Sequence, residues 1–496
     1  MKKNDSSRII DLAIVGFCAV TLLFSVRANS IWIDEGQTYS VICGTWQHML
    51  RAVFGRGDAV SGMPLYFIAE FFWCSLFGYG EYALRSMNLV FAALSLWCGC
   101  KMVRAFRLPM WVLPLFAVNP VFLYYMNEAR PYAAIYTCGM WCLYFLFGHQ
   151  EEMRRKDMVG FAICFWLGCA LHMMFVFMGM TYLCRTIMLH RTRHLEIRDH
   201  AFSWLAITPF FVPLAIHYFN FTFNAPEVQS QSAAPLSSIA QIVYYFAGLG
   251  GLGPSRNALR GMNIVFTPRI FIELAAAAVA YIAICVYFAR LKLFKIRILT
   301  AICISLALAL SSFALVNIVM KTRFWERHVI YIVPGISLAL AFMIAEIATG
   351  SKSRSAKVMS ALVLAIQVVS GLNIISMEYY QKDNHKGAAK LARSFNPDHI
   401  FFQGDAITFS YYGLKGRRAE NVQNSEEAIQ NVNISNISQS TLEKLVKLAP
   451  GRIVLILNEK PEFDAENLHR RMGKHGVAVN SFIVVPFPEN SMESAS

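Results

Sequence analysis

Charge is scarce in this chain. Asp, Glu, Lys and Arg make up 15% of its 496 residues, against roughly a quarter in soluble domains. Acidic residues are the scarcer sign, 31 against 45 Lys and Arg, for a formal net charge of +14. The basic residues form no patch with interleaved aromatics, which excludes a nucleic-acid partner. They sit in short clusters between apolar runs, the signature of cytoplasmic loops. Cysteine stops at Cys303. Nearly all of the cysteines lie inside apolar segments without metal-ligand spacing, so they read as small core residues rather than a disulfide framework. Cys43 is the one in an expected outside loop. No small-x-small cleavage site convincingly precedes Trp32, so the first apolar segment reads as an uncleaved anchor. Gly248, Gly250, Gly251 and Gly253 lack the strand-before, helix-after context of a nucleotide fingerprint and read as flexibility.

What is abundant is apolar length: 56% of the residues are hydrophobic. Spans of about 20 such residues cross a bilayer, and the positive-inside rule sets their direction. Lys2, Lys3 and Arg8 place the N-terminus in the cytoplasm, and residues 9–26 cross outward. The loop 27–85 is then extracytoplasmic. Within it, residues 65–77 are apolar but only about 13 long, a length more often interfacial than spanning; counting them as a crossing would also move two basic clusters to the wrong side. Residues 86–100, 110–126 and 133–147 continue the alternation. Residues 159–189 are too long for one ordinary span and are basic at both ends, which breaks them at His172 into an outward and an inward helix. Residues 202–219, 270–289, 299–320, 329–348 and 358–377 follow, with a long outside loop at 221–267 in which 239–249 lies on the membrane surface. The total is about eleven crossings, with the C-terminus outside. The expected fold class is an α-helical polytopic membrane protein spanning 1–377, with a small soluble α/β domain at 378–496. That tail carries β-like runs at 399–403 and 452–457 and a helical stretch at 440–448, where Ser440 and Glu443 have capping-box spacing.

The organising stretch is Trp32-Ile33-Asp34-Glu35, just past the first apolar segment. A carboxylate at mid-bilayer costs about 2.5–3.5 kcal/mol on insertion scales; at the rim it keeps water and can act as a base or bind a cation. The plain alternative is an exposed pair that starts a loop. With the sides assigned, other polar residues collect on the same face: Glu81 and Arg85, Glu128 and Arg130, His172, and Arg323, Glu326, Arg327 and His328. The last cluster is the one basic loop on the outside, which makes it a candidate anion site. Arg forms bidentate bonds to phosphate, preorganised cations favour a departing phosphate, and a carboxylate opposite can take a hydroxyl proton. Each has a bland reading as well. Glu81 with Arg85, and Glu128 with Arg130, are candidate structural ion pairs, Arg323 and Arg327 can snorkel, and His172 can be a hydrogen-bonded helix end. Tyr124, Tyr125, Tyr132, Trp325 and Tyr331 read most simply as interface-belt aromatics.

These pieces, in this order, resemble the GT-C membrane glycosyltransferases, in the branch of protein O-mannosyltransferases and lipid A aminoarabinose transferases. The likeness is carried by Trp32-x-Asp34-Glu35; by Met63-Pro64-Leu65-Tyr66, with Met63 where the branch has Pro; and by Phe77-Gly78 followed by Glu81-Tyr82-Ala83-Leu84-Arg85. It continues in Asn127-Glu128-Ala129-Arg130-Pro131-Tyr132-Ala133, Leu171-His172, and Glu326-Arg327-His328 with Pro334, where His328 replaces Tyr. It covers roughly residues 9–345 and excludes the tail. The resemblance implies an inverting transferase that uses a polyprenyl-phosphate sugar donor at the extracytoplasmic face of the plasma (inner) membrane. The acceptor would be an envelope glycan, glycolipid or protein. It implies Asp34 as catalytic base and Glu35 as its support or a metal contact. Arg85, Glu128, Arg130, Tyr132, His172, Arg323, Arg327 and His328 would bind substrate. No cofactor is certain; a divalent cation is left open, with Asp34, Glu35, Glu128 and His172 as candidate ligands. The rival reading is a transporter or flippase of polyprenyl-linked sugars, which would more often carry polar residues in mid-helix.

Overall fold

The computed structural model describes residues 5–55, 59–149, 154–191, 208, 212–224, 235–255, 268–290, 297–319, 326–351, 353–377 and 380, and short stretches from 384 to 487. Arg323, Trp325 and the stretch 440–448 lie outside them. The chain divides into two compact units. One is helical: Met1–Arg27, Gly44–Tyr79 and Ala83–Gln381. The other joins Ala28–Cys43 and Gly80–Tyr82 to Lys382–Ser496.

Among the described residues of the chain, four helices are long and apolar enough to cross a membrane: Ser6–Ser25, Glu81–Ala105, Arg327–Gly350 and Arg354–Ser376. Shorter apolar helices include Pro64–Phe77, Tyr132–Phe147, Met173–Met188 and Ile302–Leu315. The chain is a membrane protein. The first helix keeps most of its apolar side chains on the outside, with Ile9, Leu12, Leu23 and Phe24 all exposed, whereas Val333–Gly350 buries its own from Val333 to Ile347. Helix Tyr132–Phe147 is buried nearly all round and packs against Asn88–Ala105 and Arg155–Leu171. It also lies close to segment Glu326–Ile332, because a Cβ on Gly139 would sit 2.7 Å from the Tyr331 carbonyl oxygen. Helix Pro64–Phe77 has 14 residues, about 21 Å at 1.5 Å per residue and short of a ~30 Å hydrocarbon core. Its Glu70 is fully buried.

Three expectations need correction. Residues 110–126 do not form one helix. Met110–Val112 is a 3-10 turn, and Pro114–Ala117 and Pro120–Met126 are separate short helices. Pro114 and Pro120 stand at helix starts, where a missing N–H is harmless, and the segment is almost wholly buried. The glycine cluster is close-packed rather than flexible. Gly251 N–H donates to Ser370 Oγ at 2.8 Å, Asn373 donates to Gly251 O at 2.9 Å, and a Cβ on Gly251 would collide with the Ser370 backbone. Gly248 takes φ +77°, the left-handed region that glycine enters freely. Tyr125, Tyr132 and Tyr331 are buried rather than in an interface belt. The long run does break at His172, whose backbone is extended (φ −162°, ψ 123°) between helix Arg155–Leu171 and the 3-10 segment Met173–Met178.

The second unit contains a six-stranded sheet in the order β2-β3-β1-β4-β6-β5. The strands are β1 His399–Phe402, β2 Arg417–Arg418, β3 Asn431–Asn433, β4 Ile453–Asn458, β5 Val477–Val479 and β6 Phe482–Phe487. The first four in that order run parallel; β6 returns antiparallel to β4, pairing Leu455 with Val485, and β5 pairs with β6. Helices His385–Ser394 and Ala406–Tyr411 pack against it around Phe402, Phe409, Leu414, Ile456 and Val484.

Candidate functional site

The residues singled out from the sequence fall in both units. In the helical unit they centre on the turn Asn127–Pro131. Asn119 caps the preceding helix, its Oδ1 accepting from Val121 N at 3.0 Å and Phe122 N at 3.3 Å, and Asn127 ends that helix. Asn127 Oδ1 then accepts from Arg27 N at 3.0 Å. Asn88, itself buried, donates from Nδ2 to Met126 O at 3.0 Å and Glu128 O at 2.8 Å. Arg130 N closes the turn on Glu128 O at 2.8 Å. The turn therefore carries Glu128 and Arg130 inside the protein, both buried. Helix Tyr132–Phe147 starts directly after Pro131, with Tyr132 ring-to-ring with Tyr125 at 4.7 Å.

His172 lies next to this turn. Its ring centroid is 6.1 Å from that of Tyr132 and 5.9 Å from that of His328. Arg327 and His328 come from the 3-10 segment Glu326–Ile332, which kinks at Val329 (φ −114°, ψ 16°). Burial, then the charges of Arg327 and Arg130, push His172 down to about 3 from the ordinary imidazole value. Desolvation and like charge act in the same direction, so the ring is neutral at physiological pH. His172 Nδ1 accepts from Met174 N at 3.2 Å. That leaves the proton on Nε2 and makes Nε2 a donor. Arg130, Arg327, His172, His328 and Tyr132 thus come together. Arg85 is fully buried in the same unit and donates from Nη1 to Arg27 O at 2.8 Å, at the end of the first helix. Asn88 is the residue that sequence reasoning missed; its only sequence signal is an amide at the head of an apolar helix.

In the second unit, Ile33–Ile42 is a helix that begins after extended Trp32. Asp34 is half-buried and Glu35 is fully buried. Glu35 Oε2 accepts from Trp32 N at 3.2 Å, the carboxylate arm of a capping box. An indole can only donate, so the reciprocal arm is absent; the Glu35 carboxylate holds the Trp32 N–H while Gly36 N closes the first turn on Trp32 O at 2.8 Å. This gives Glu35 a structural contact where the sequence suggested support of a base or a metal. Glu81 pairs with Lys386 (2.7 Å from Oε1 to Nζ) rather than serving only as a neighbour of Arg85. Among the described residues, no three His, Cys, Asp or Glu side chains converge closely enough to hold a metal ion.

Apolar spans with buried polar turns between them define a polytopic membrane protein with polar chemistry gathered at helix ends. The chain is similar to ArnT from Cupriavidus metallidurans in two crystal structures. One, bound to undecaprenyl phosphate, is 13% identical, covers 98% of each chain and has a TM-score of 0.45. The other, in the apo state, is 12% identical, covers 97% of this chain and 98% of that one and has a TM-score of 0.48. No family model and no curated protein matches the sequence. At identities this low, substrate and chemistry are left to the residues themselves.

Proposed function

We propose that the chain is an integral membrane glycosyltransferase. It would move a sugar from a polyprenyl-phosphate carrier to a hydroxyl of an envelope glycolipid, polysaccharide or protein, on the extracytoplasmic face, through a bundle of about eleven crossings with its N-terminus in the cytoplasm. The observation that carries this reading is the basic group in the helical unit: buried Arg130 and half-buried Arg327 lie close enough to act on a neutral, buried His172, with Tyr132 and half-buried His328 beside it. Guanidinium groups remain charged at any working pH and fit phosphate bidentately. A neutral Nε2–H and a phenol add donors without adding charge. Such a group favours a phosphate ester, and favours it more as charge builds on the leaving oxygen.

In the proposed reaction the bond from the anomeric carbon to the carrier's phosphate oxygen breaks, and its electron pair leaves with the phosphate. The acceptor oxygen bonds to that carbon, and its proton passes to Asp34. Asp34 is half-buried in the first turn of its helix, so its carboxylate is not sealed from an incoming hydroxyl. The sequence motif around Asp34 and the chemistry of the basic group support these roles.

The test is sugar transfer in membranes supplied with labelled polyprenyl-phosphate sugars, comparing wild type, Asp34→Asn and Arg130→Ala at equal protein level. Transfer by wild type alone supports the reading. Full transfer by Asp34→Asn removes the base, and full transfer by Arg130→Ala removes the phosphate site. Movement of the carrier lipid across vesicle membranes without any sugar transfer would point instead to a transporter.

A further inference from the structure

The segment bearing Asp34 belongs to the same compact unit as the C-terminal chain, although some 350 residues separate them. The contacts that hold it are specific. Ile31 N–H donates to Tyr412 Oη at 2.7 Å, and Lys386 N–H donates to Ser30 Oγ at 3.0 Å. The Lys386 ammonium meets the Glu81 carboxylate at 2.7 Å. Gly36, two residues past Asp34, faces the buried side chain of Thr408, where a Cβ would lie 2.5 Å from Oγ1. Tyr39 meets Tyr411 edge-on at 4.8 Å. These anchors lie before and after Asp34. Helix Ala406–Tyr411, which supplies Thr408 and Tyr411, is itself fixed by Phe409 in the core of the sheet unit.

We infer that Tyr412 and Lys386 are positioning residues: they set the place of the segment bearing Asp34, and Thr408 is the surface against which Gly36 packs. The inference rests on Asp34 being the base. A base acts only within hydrogen-bond reach of its proton, and misplacement by about 1 Å can cost on the order of a hundredfold in rate. The segment Ala28–Cys43 carries one ten-residue helix, Ile33–Ile42, whose place is set by what it packs against. Glycine at position 36 follows from the same contact, since any side chain there would push the Asp34 helix away from Thr408.

The experiment uses the full-length protein in membranes and measures kcat, donor KM and amide hydrogen exchange over residues 28–43. Tyr412→Phe removes one hydroxyl, Gly36→Ala introduces the clash, and Gly36→Ala with Thr408→Ala relieves it. Expected results are a fall in kcat of about tenfold or more for each single variant at unchanged donor KM, recovery to within about threefold in the pair, and faster exchange of the Ile31 amide in Tyr412→Phe. Wild-type kcat and unchanged Ile31 exchange in Tyr412→Phe, while Asp34→Asn is inactive, overturn the positioning role. If Gly36→Ala does not accumulate, Tyr412→Phe alone decides. Full activity of Asp34→Asn overturns the underlying assignment of the base and is seen in that arm only.

Discussion

Asn88 makes the sharpest demand on the structure. It is 1% exposed, and its one amide nitrogen satisfies two carbonyls of the turn that carries Glu128 and Arg130. Asn88→Ala removes both bonds and leaves two buried acceptors facing a small void. Leaving a buried polar group without its partner costs about 1–3 kcal/mol. Carbonyls stand at the lower end of that range because each has a second lone pair, so the expected loss is about 2–4 kcal/mol in all. Asn88→Asp keeps the shape but turns a carboxylate oxygen toward the same two carbonyls; it should be worse than alanine, because repulsion replaces attraction. The assay is thermal unfolding in detergent. A fall in Tm of several degrees is expected for Asn88→Ala, at about 2–4 °C per kcal/mol for a mid-sized domain and less for a larger one. The Asp variant should fall further. Transfer activity should drop with it, since Glu128 and Arg130 lose their fixed turn. A Tm within about 1 °C of wild type for both variants would refute the claim that Asn88 holds this turn together.

Two further outcomes follow from particular side chains. His172 is depressed to about 3, below its unfolded value near 6.5. Its contribution to stability is therefore complete above about 6.5 and is lost as pH falls toward about 3, by up to about 1.4 kcal/mol per pH unit. Stability measured across that window should decline less steeply in His172→Gln than in wild type, and equal slopes would contradict the burial of a neutral imidazole. Glu35→Gln keeps an acceptor for Trp32 N–H and should preserve both stability and transfer, whereas Glu35→Ala should cost about 0.5–2 kcal/mol as a lost cap. Loss of transfer in Glu35→Gln at normal stability would return the carboxylate charge to the chemistry.

Some features could be read from short windows of the chain. Apolar length gave the helices and the brevity of Pro64–Phe77. Excess length between two basic flanks gave the break at His172. β-branched and aromatic runs gave the strands at His399–Phe402 and Ile453–Asn458. All of these follow from hydropathy and propensity, which act over a few residues at a time. Tertiary structure decided the rest. It buried Tyr125, Tyr132 and Tyr331, because a tyrosine at a helix end has the same local pattern whether it faces lipid or protein. It turned the glycines after Leu249 from a flexible loop into a close approach, which depends on Ser370 and Asn373 more than a hundred residues away. It gave Asn88 two partners about forty residues on. It tied Ser30 and Ile31, just before Trp32-Ile33-Asp34-Glu35, to Lys386 and Tyr412 some 350 residues on. The sequence alone determined which residues carry charge and where helices could run. Which of those charges are buried together was left to long-range packing, since no window of a single chain records what lies across from it.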